Sequence, residues 1–218
     1  MTKTLKIITL LLASFVLFSC GNEANAQNNT TENVNITTAD FEDNSVKAIN
    51  IAANDNNSDN KILVVYFTWG GNSRTLAGYA REITGGDIFE IVPAQPYPSQ
   101  YRATTQQARE ELDNNYLPAI KNQINNLSSY DTIILVYPNW WGTIPQIVKR
   151  FLQDNDFSGK TIAPICTHEG SRMGRSLTDI RALCPNSTIT EGLDVRGGSV
   201  GGARNTVRDW INKIGINK

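Results

Sequence analysis

Six consecutive apolar residues, 62–67, run straight into Thr68-Trp69-Gly70-Gly71-Asn72-Ser73, and a helix-compatible segment follows from Arg74. A strand with no polar face suits burial on both sides, the place of a central strand in a parallel sheet. The turn behind it joins strand to helix over a few residues, and Gly70 and Gly71 leave its backbone bare. Several N–H groups at a helix N-terminus lack intrahelical partners and sit at the positive end of the helix dipole. An anion placed there collects donors that the helix cannot use. The segment therefore predicts a phosphate cradle.

The pattern continues along the chain. Strand-like runs at 87–92, 132–137, 161–167 and 188–193 alternate with helix-like runs at 75–83, 101–112, 145–152, 177–183 and 203–214, and a short helical turn is expected near 122–127. Pro93 closes the second strand, and Pro145 is expected in the first helical turn, where its missing N–H does no harm. Such alternation predicts an α/β domain with a doubly wound five-stranded parallel sheet joined by right-handed crossovers. Ligands of that architecture sit outside the carboxyl ends of the strands. The turns after the first, third and fourth strands should therefore meet in space.

Each of those turns has its own chemistry. The first contains no lysine, which excludes a nucleoside-triphosphate P-loop, and it lacks the Gly-x-Gly-x-x-Gly dinucleotide fingerprint. A monophosphate held by dipoles and the neutral donors of Thr68, Asn72 and Ser73 fits better. The second turn, Pro138-Asn139-Trp140-Trp141-Gly142, carries two adjacent tryptophans that cannot both enter one core. At least one should stand at the open end, ready for a flat aromatic ligand. Gly142 lets the backbone approach ring heteroatoms and change its peptide orientation. The third turn, Thr167-His168-Glu169-Gly170 and on to Gly174, offers polar groups to the same ligand. His168 is the chain's one histidine. A charge switch is one reading of it; a solvent-facing polar residue is the commoner fate of a lone loop histidine.

The chain's 218 residues fit one domain with appendages. A net charge of -1 provides no basic stripe, so nucleic acid is not an expected partner. Residues 1–19 read as an export signal, with Lys3 and Lys6 ahead of an apolar run too short for a comfortable membrane span. Leu17-Phe18-Ser19-Cys20 resembles a bacterial lipoprotein box, in which Cys20 is lipidated and anchors the chain to the cell-envelope membrane. A cut after Ala26, behind Ala24-Asn25-Ala26, is the competing reading. Residues 20–60, rich in Asn, Thr, Asp and Glu, read as a disordered tether, and 61–216 as the folded domain. Besides Cys20 there are Cys166 and Cys184. The preferred reading makes them small buried thiols, and a disulfide between them is the alternative.

Together these residues carry a resemblance. Val65 to Ser73 is similar to the flavodoxin signature, a strand followed by Ser/Thr-x-Thr-Gly-Asn-Thr. Tyr137 to Gly142, with Pro145, resembles the Pro-x-Trp-Trp-Gly loop of a flavodoxin-like branch, and 167–174 resembles its Thr-x-x-Gly-Ser segment. The resemblance spans about 61–214 and implies strand order 2-1-3-4-5 without the long insertion in the fifth strand. It implies bound flavin mononucleotide (FMN), the phosphate on Thr68, Gly70, Gly71, Asn72 and Ser73, with Trp69 of the same turn also in the cofactor site. The ring would lie between Pro138, Asn139, Trp140, Trp141 and Gly142 on one side and Thr167, His168, Glu169 and Gly170 on the other. Gly70 departs from the signature by replacing its Thr. The implied function is electron transfer through the flavin to a redox partner protein or a small-molecule oxidant. An FMN-dependent NAD(P)H:quinone-type oxidoreductase and a cofactor-free lipoprotein scaffold stand as the alternatives.

Overall fold

The computed structural model describes residues 60–216. The export signal, Cys20 and nearly all of the tether lie outside the described residues. Five strand positions, the fifth shared by two short strands, alternate with five helices: β1 (Ile62–Tyr66), α1 (Asn72–Thr84), β2 (Asp87–Glu90), α2 (Tyr101–Asp113), β3 (Thr132–Pro138), α3 (Gln146–Asp154), β4 (Thr161–His168), α4 (Ser176–Leu183), β5 (Thr188–Ile189), β6 (Leu193–Arg196) and α5 (Arg204–Lys213). The sheet is parallel with order β2-β1-β3-β4-β5, and β6 also pairs with β4.

Side chains alternate across the central strands, as a sheet covered on both faces requires. Leu63, Val65, Ile133, Leu135 and Ile162 pack with Ile147, Phe151 and Ile180 of α3 and α4. Ile62, Val64, Ile134, Val136, Ala163 and Ile165 face the other way, onto Leu76 and Ala80 of α1 and Val207 and Ile211 of α5. Each such side chain, taken fully out of water, contributes roughly 1.5–3 kcal/mol before ordering entropy is charged against it.

The fifth strand position departs from the expected continuous run. Thr161 pairs with Thr188 and Ile162 with Ile189, but Ile165 pairs with Leu193 and His168 with Arg196. The register has slipped by one residue, the mark of a bulge. Pro164 supplies the cause. The Thr190 N–H donates to the Ile162 carbonyl, so Ile162 faces this edge strand and so does Pro164, two residues on. Having no N–H, Pro164 cannot continue the ladder. Residues 190–192 leave the sheet there, with the Trp210 indole N–H donating to the Glu191 carbonyl at 3.3 Å.

Smaller differences have equally local causes. Gly71, at φ 95°, is the cap of α1, so the helix begins at Asn72 rather than near Thr75. Pro145 lies one residue ahead of α3, as its cap, and its carbonyl accepts from Val148 and Lys149. The short helical turn falls at Leu127–Ser129, because Asn122 is engaged elsewhere. Its side chain donates to the Glu90 carbonyl at 2.7 Å and accepts from the Val92 N–H at 3.0 Å. Cys166 and Cys184 are buried free thiols, and burial pushes the first up to about 12 and the second up to about 11. The alternative of a disulfide between them is not what the structure shows.

Candidate functional site

The turns after β1, β3 and β4 meet at the carboxyl end of the sheet and wall a cavity of about 700 Å³, within the range of small-molecule sites. Gly71 shapes the first turn. Its N–H donates to Thr68 Oγ1 at 3.0 Å, and its carbonyl accepts from the Thr75 N–H at 3.0 Å, the first bond of α1. No side chain caps this helix and no acidic residue stands in its first turn. The N–H groups of Asn72, Ser73 and Arg74 therefore keep their hydrogens for something outside the helix. Ser73 Oγ lies 3.2 Å from Thr167 Oγ1, which ties the cradle to the end of β4.

The β3 turn is a two-residue hairpin. Trp140 and Thr143 exchange backbone hydrogen bonds at 3.0 and 3.2 Å, and Trp141 (φ 53°) and Gly142 (φ 83°) between them have the positive φ of a primed turn. Positive φ is costly for a residue as bulky as tryptophan. Two contacts offset it: the Trp141 indole N–H donates to the Thr105 carbonyl at 3.0 Å, and the Arg109 guanidinium lies 5.3 Å from its ring centre. The Gly142 N–H donates to Asn139 Oδ1 at 2.9 Å and its carbonyl accepts from the Arg175 N–H at 2.8 Å. Both groups of Gly142 thus have partners within the protein, and the residue itself lines the cavity.

Trp140 turns inward and Trp141 outward, as two adjacent tryptophans must. Trp140 meets Phe67 and Tyr97 edge-on, with centroids 5.4 and 5.0 Å away, while Trp141 is 51% exposed. In the β4 turn, His168 is not the solvent-facing residue expected, since its side chain is 7% exposed. Nδ1 accepts the Gly170 N–H at 2.9 Å, so Nε2 carries the hydrogen and donates it to Asp194 Oδ2 at 3.1 Å. The ring thereby holds the turn to β6.

The residues assigned to the cofactor from the three turns, Thr68 to Ser73, Pro138 to Gly142 and Thr167 to Gly170, all line the cavity except Gly71 and Gly170, which bend the backbone behind it; Arg172, Met173 and Gly174 of the third turn lie outside the lining. Ser171, further along the third turn, lines it as well, whereas one face of α2, Tyr101, Thr104, Thr105 and Ala108, was not anticipated as lining. The signal was present in their i, i+3, i+4, i+7 spacing, the pattern of a single helix face. Thr104 and Thr105 donate their hydroxyls to the carbonyls of Pro98 and Arg102. The α2 wall therefore shows mainly methyl groups. Trp69 donates its indole N–H to the Pro98 carbonyl at 2.9 Å, fastening the start of α2 to the cradle.

Behind this wall Glu111 is buried at 4% exposure, accepting from the Tyr97 hydroxyl and from Gln107 Nε2, each at 2.9 Å. Burial raises its carboxyl above the ordinary glutamate value, so the folded protein holds this proton more tightly than the unfolded chain. Stability from this group is then full at low pH and declines as pH rises from about 4.5 through the raised folded value. In Glu111→Gln that decline should vanish, with a gain in stability at neutral pH. Urea midpoints from about pH 4 to 8 check it, and parallel curves for the two proteins would count against the assignment.

An open parallel α/β sheet with a cavity over its strand ends, an uncapped helix start on one side and tryptophans on another defines a doubly wound α/β protein with its candidate site at the carboxyl ends of the strands. A family model described as Flavodoxin matches residues 61–214, and the chain belongs to that family. A solved Bacteroides eggerthii protein assigned as a flavoprotein is 31% identical, with a TM-score of 0.63, over 71% of this chain and 97% of that one. A Bacteroides uniformis protein assigned likewise is 28% identical, at 0.63, over 70% and 97%. A flavoprotein in complex with FMN from Lactobacillus acidophilus shares the fold at 19% identity and a TM-score of 0.56, over 67% and 99%. No curated protein matches the chain.

Proposed function

We propose that this protein binds flavin mononucleotide in the strand-end cavity and serves as an electron-transfer flavoprotein. The observation that carries the reading is the first turn of α1, where three backbone N–H groups without helical partners open beside the neutral hydroxyls of Thr68 and Ser73. That donor set suits one phosphate. The aromatic and methyl-bearing walls supplied by Trp140, Trp141 and α2 suit a flat ring. When bound, the flavin supplies one- and two-electron chemistry, and the chain's part is to hold, orient and shield it. The FMN complex of the Lactobacillus acidophilus flavoprotein supports this choice of cofactor.

Titration of the purified domain with FMN, followed by flavin absorbance and quenching of tryptophan emission, tests the reading. Saturable binding of one equivalent is expected. A Cβ built on Gly70 meets nothing within 4 Å, and its φ lies outside the left-handed region. Gly70→Thr should therefore restore the hydroxyl of the family signature without strain and tighten FMN about threefold to tenfold, the worth of one hydrogen bond to a charged group kept partly wet. A protein that stays colourless at high FMN, with Gly70→Thr no better, excludes the proposal.

A further inference from the structure

No lysine or arginine lines the cavity. Arg109 and Arg175 lie in a separate groove on the far side of Trp141 and are paired with Asp113 and Asp179. Apart from His168, whose hydrogen goes to Asp194, Glu169 is the one side chain in the lining that is of a type charged at neutral pH; Tyr101 is neutral there. It is not neutralised, since no ion pair joins it to a cation among the described residues.

Its position is set by Gly197, in the short helical segment after β6. The point that a Cβ on Gly197 would occupy is already filled by Glu169 Oε1 and lies 2.8 Å from Asn72 Nδ2. The carboxylate thus stands beside the first residue of α1, at the mouth of the cradle. It takes no hydrogen bond from the N–H groups of that helix. A glycine at 197 is what lets an acidic side chain fold into this place.

Resting on the FMN reading, we infer that Glu169 is a charge filter that fixes the phosphate count of the ligand. One phosphate can sit on the helix start, where the dipole and three N–H groups outweigh a neighbouring carboxylate. A second phosphate, as in any dinucleotide, extends past the cradle mouth into the field of an uncompensated negative charge with no lysine or arginine to answer it. The site therefore selects a mononucleotide and turns away flavin and nicotinamide dinucleotides by repulsion, in addition to any limit of size. Charges several Å apart at a partly wet site, screened by salt, translate into roughly threefold to tenfold in affinity per phosphate charge.

The test measures dissociation constants for riboflavin, FMN and flavin adenine dinucleotide on the wild-type protein, Glu169→Gln and Glu169→Asp. In Glu169→Gln, FMN should tighten about threefold to tenfold and the dinucleotide by more, while uncharged riboflavin changes less than about twofold. Glu169→Asp should retain the wild-type ranking. The riboflavin arm separates charge from shape, because a carboxylate that merely props the turn would move all three ligands together. Equal shifts for riboflavin and FMN, weaker FMN binding in Glu169→Gln, or an Asp variant that behaves like the Gln variant each overturn the filter and leave the FMN reading intact. Failure of FMN to bind either the wild-type protein or Glu169→Gln removes both.

Discussion

Gly174→Ala is expected to lower the unfolding free energy by about 3 kcal/mol and to weaken flavin binding with it. Two costs add. Gly174 has φ 53°, where a side chain costs about 1–2 kcal/mol. The new Cβ would also run into the carbonyl oxygen of Gly142, a backbone atom that cannot swing aside as a side-chain end does. Moving that carbonyl breaks its bond from the Arg175 N–H and disturbs the hairpin that carries Trp140 and Trp141. Denaturant midpoints should fall, and FMN affinity measured well below the midpoint should fall too. Gly70→Ala is the matching control, with open space around its Cβ and an expected change within about 0.5 kcal/mol. Equal stability of the two variants would refute the packing argument at Gly174.

Trp140→Ala should cost about 2–3 kcal/mol, less than a fully buried tryptophan because one side of the ring faces the cavity. The loss has a shared part. Trp140 and Tyr97 meet edge-on at 87°, as do Trp140 and Phe67, and such pairs contribute about 0.5–1.5 kcal/mol beyond the area they bury. A double-mutant cycle of Trp140→Ala with Tyr97→Ala should return a coupling in that range. Additivity within about 0.3 kcal/mol would show that the rings only fill space. Tyr97 also donates to Glu111, so Tyr97→Phe, which keeps the ring and drops the hydroxyl, separates the two roles.

The sheet was legible in the sequence because burial on both faces leaves the middles of the central strands almost wholly apolar. Runs such as Ile133-Ile134-Leu135-Val136 have few other places to go in a chain of this size. What the periodicity hid was the edge. Residues 188–193 read as one strand, yet their pairing is decided by Pro164 on the neighbouring strand, a long-range effect that a pattern along one segment does not contain. The cradle and the tryptophan turn were legible for a different reason. Glycines at positive φ and paired tryptophans break the local rules of a strand or helix, and such breaks concentrate where a ligand belongs. The α2 wall obeys every local rule, so its role emerged only when Trp69 and Trp141 were seen to fasten that helix across the cavity. The commitment of both polar groups of Gly142 was likewise beyond reach, since one partner, Arg175, lies 33 positions along the chain.

The slipped register beside β4 has a consequence at the rim of the sheet. An open parallel sheet ends in two strands whose outer N–H and C=O groups can recruit another chain. Here one rim is cut into a two-residue and a four-residue piece by the bulge at 190–192. At the other rim β2 has only four residues, and Asn122 takes up the backbone groups of Glu90 and Val92 at its end. Neither rim presents the long, flat row of free donors and acceptors that strand addition needs. Pro164 and Asn122, neither of them near the cavity, keep this molecule from growing its sheet into a neighbour's.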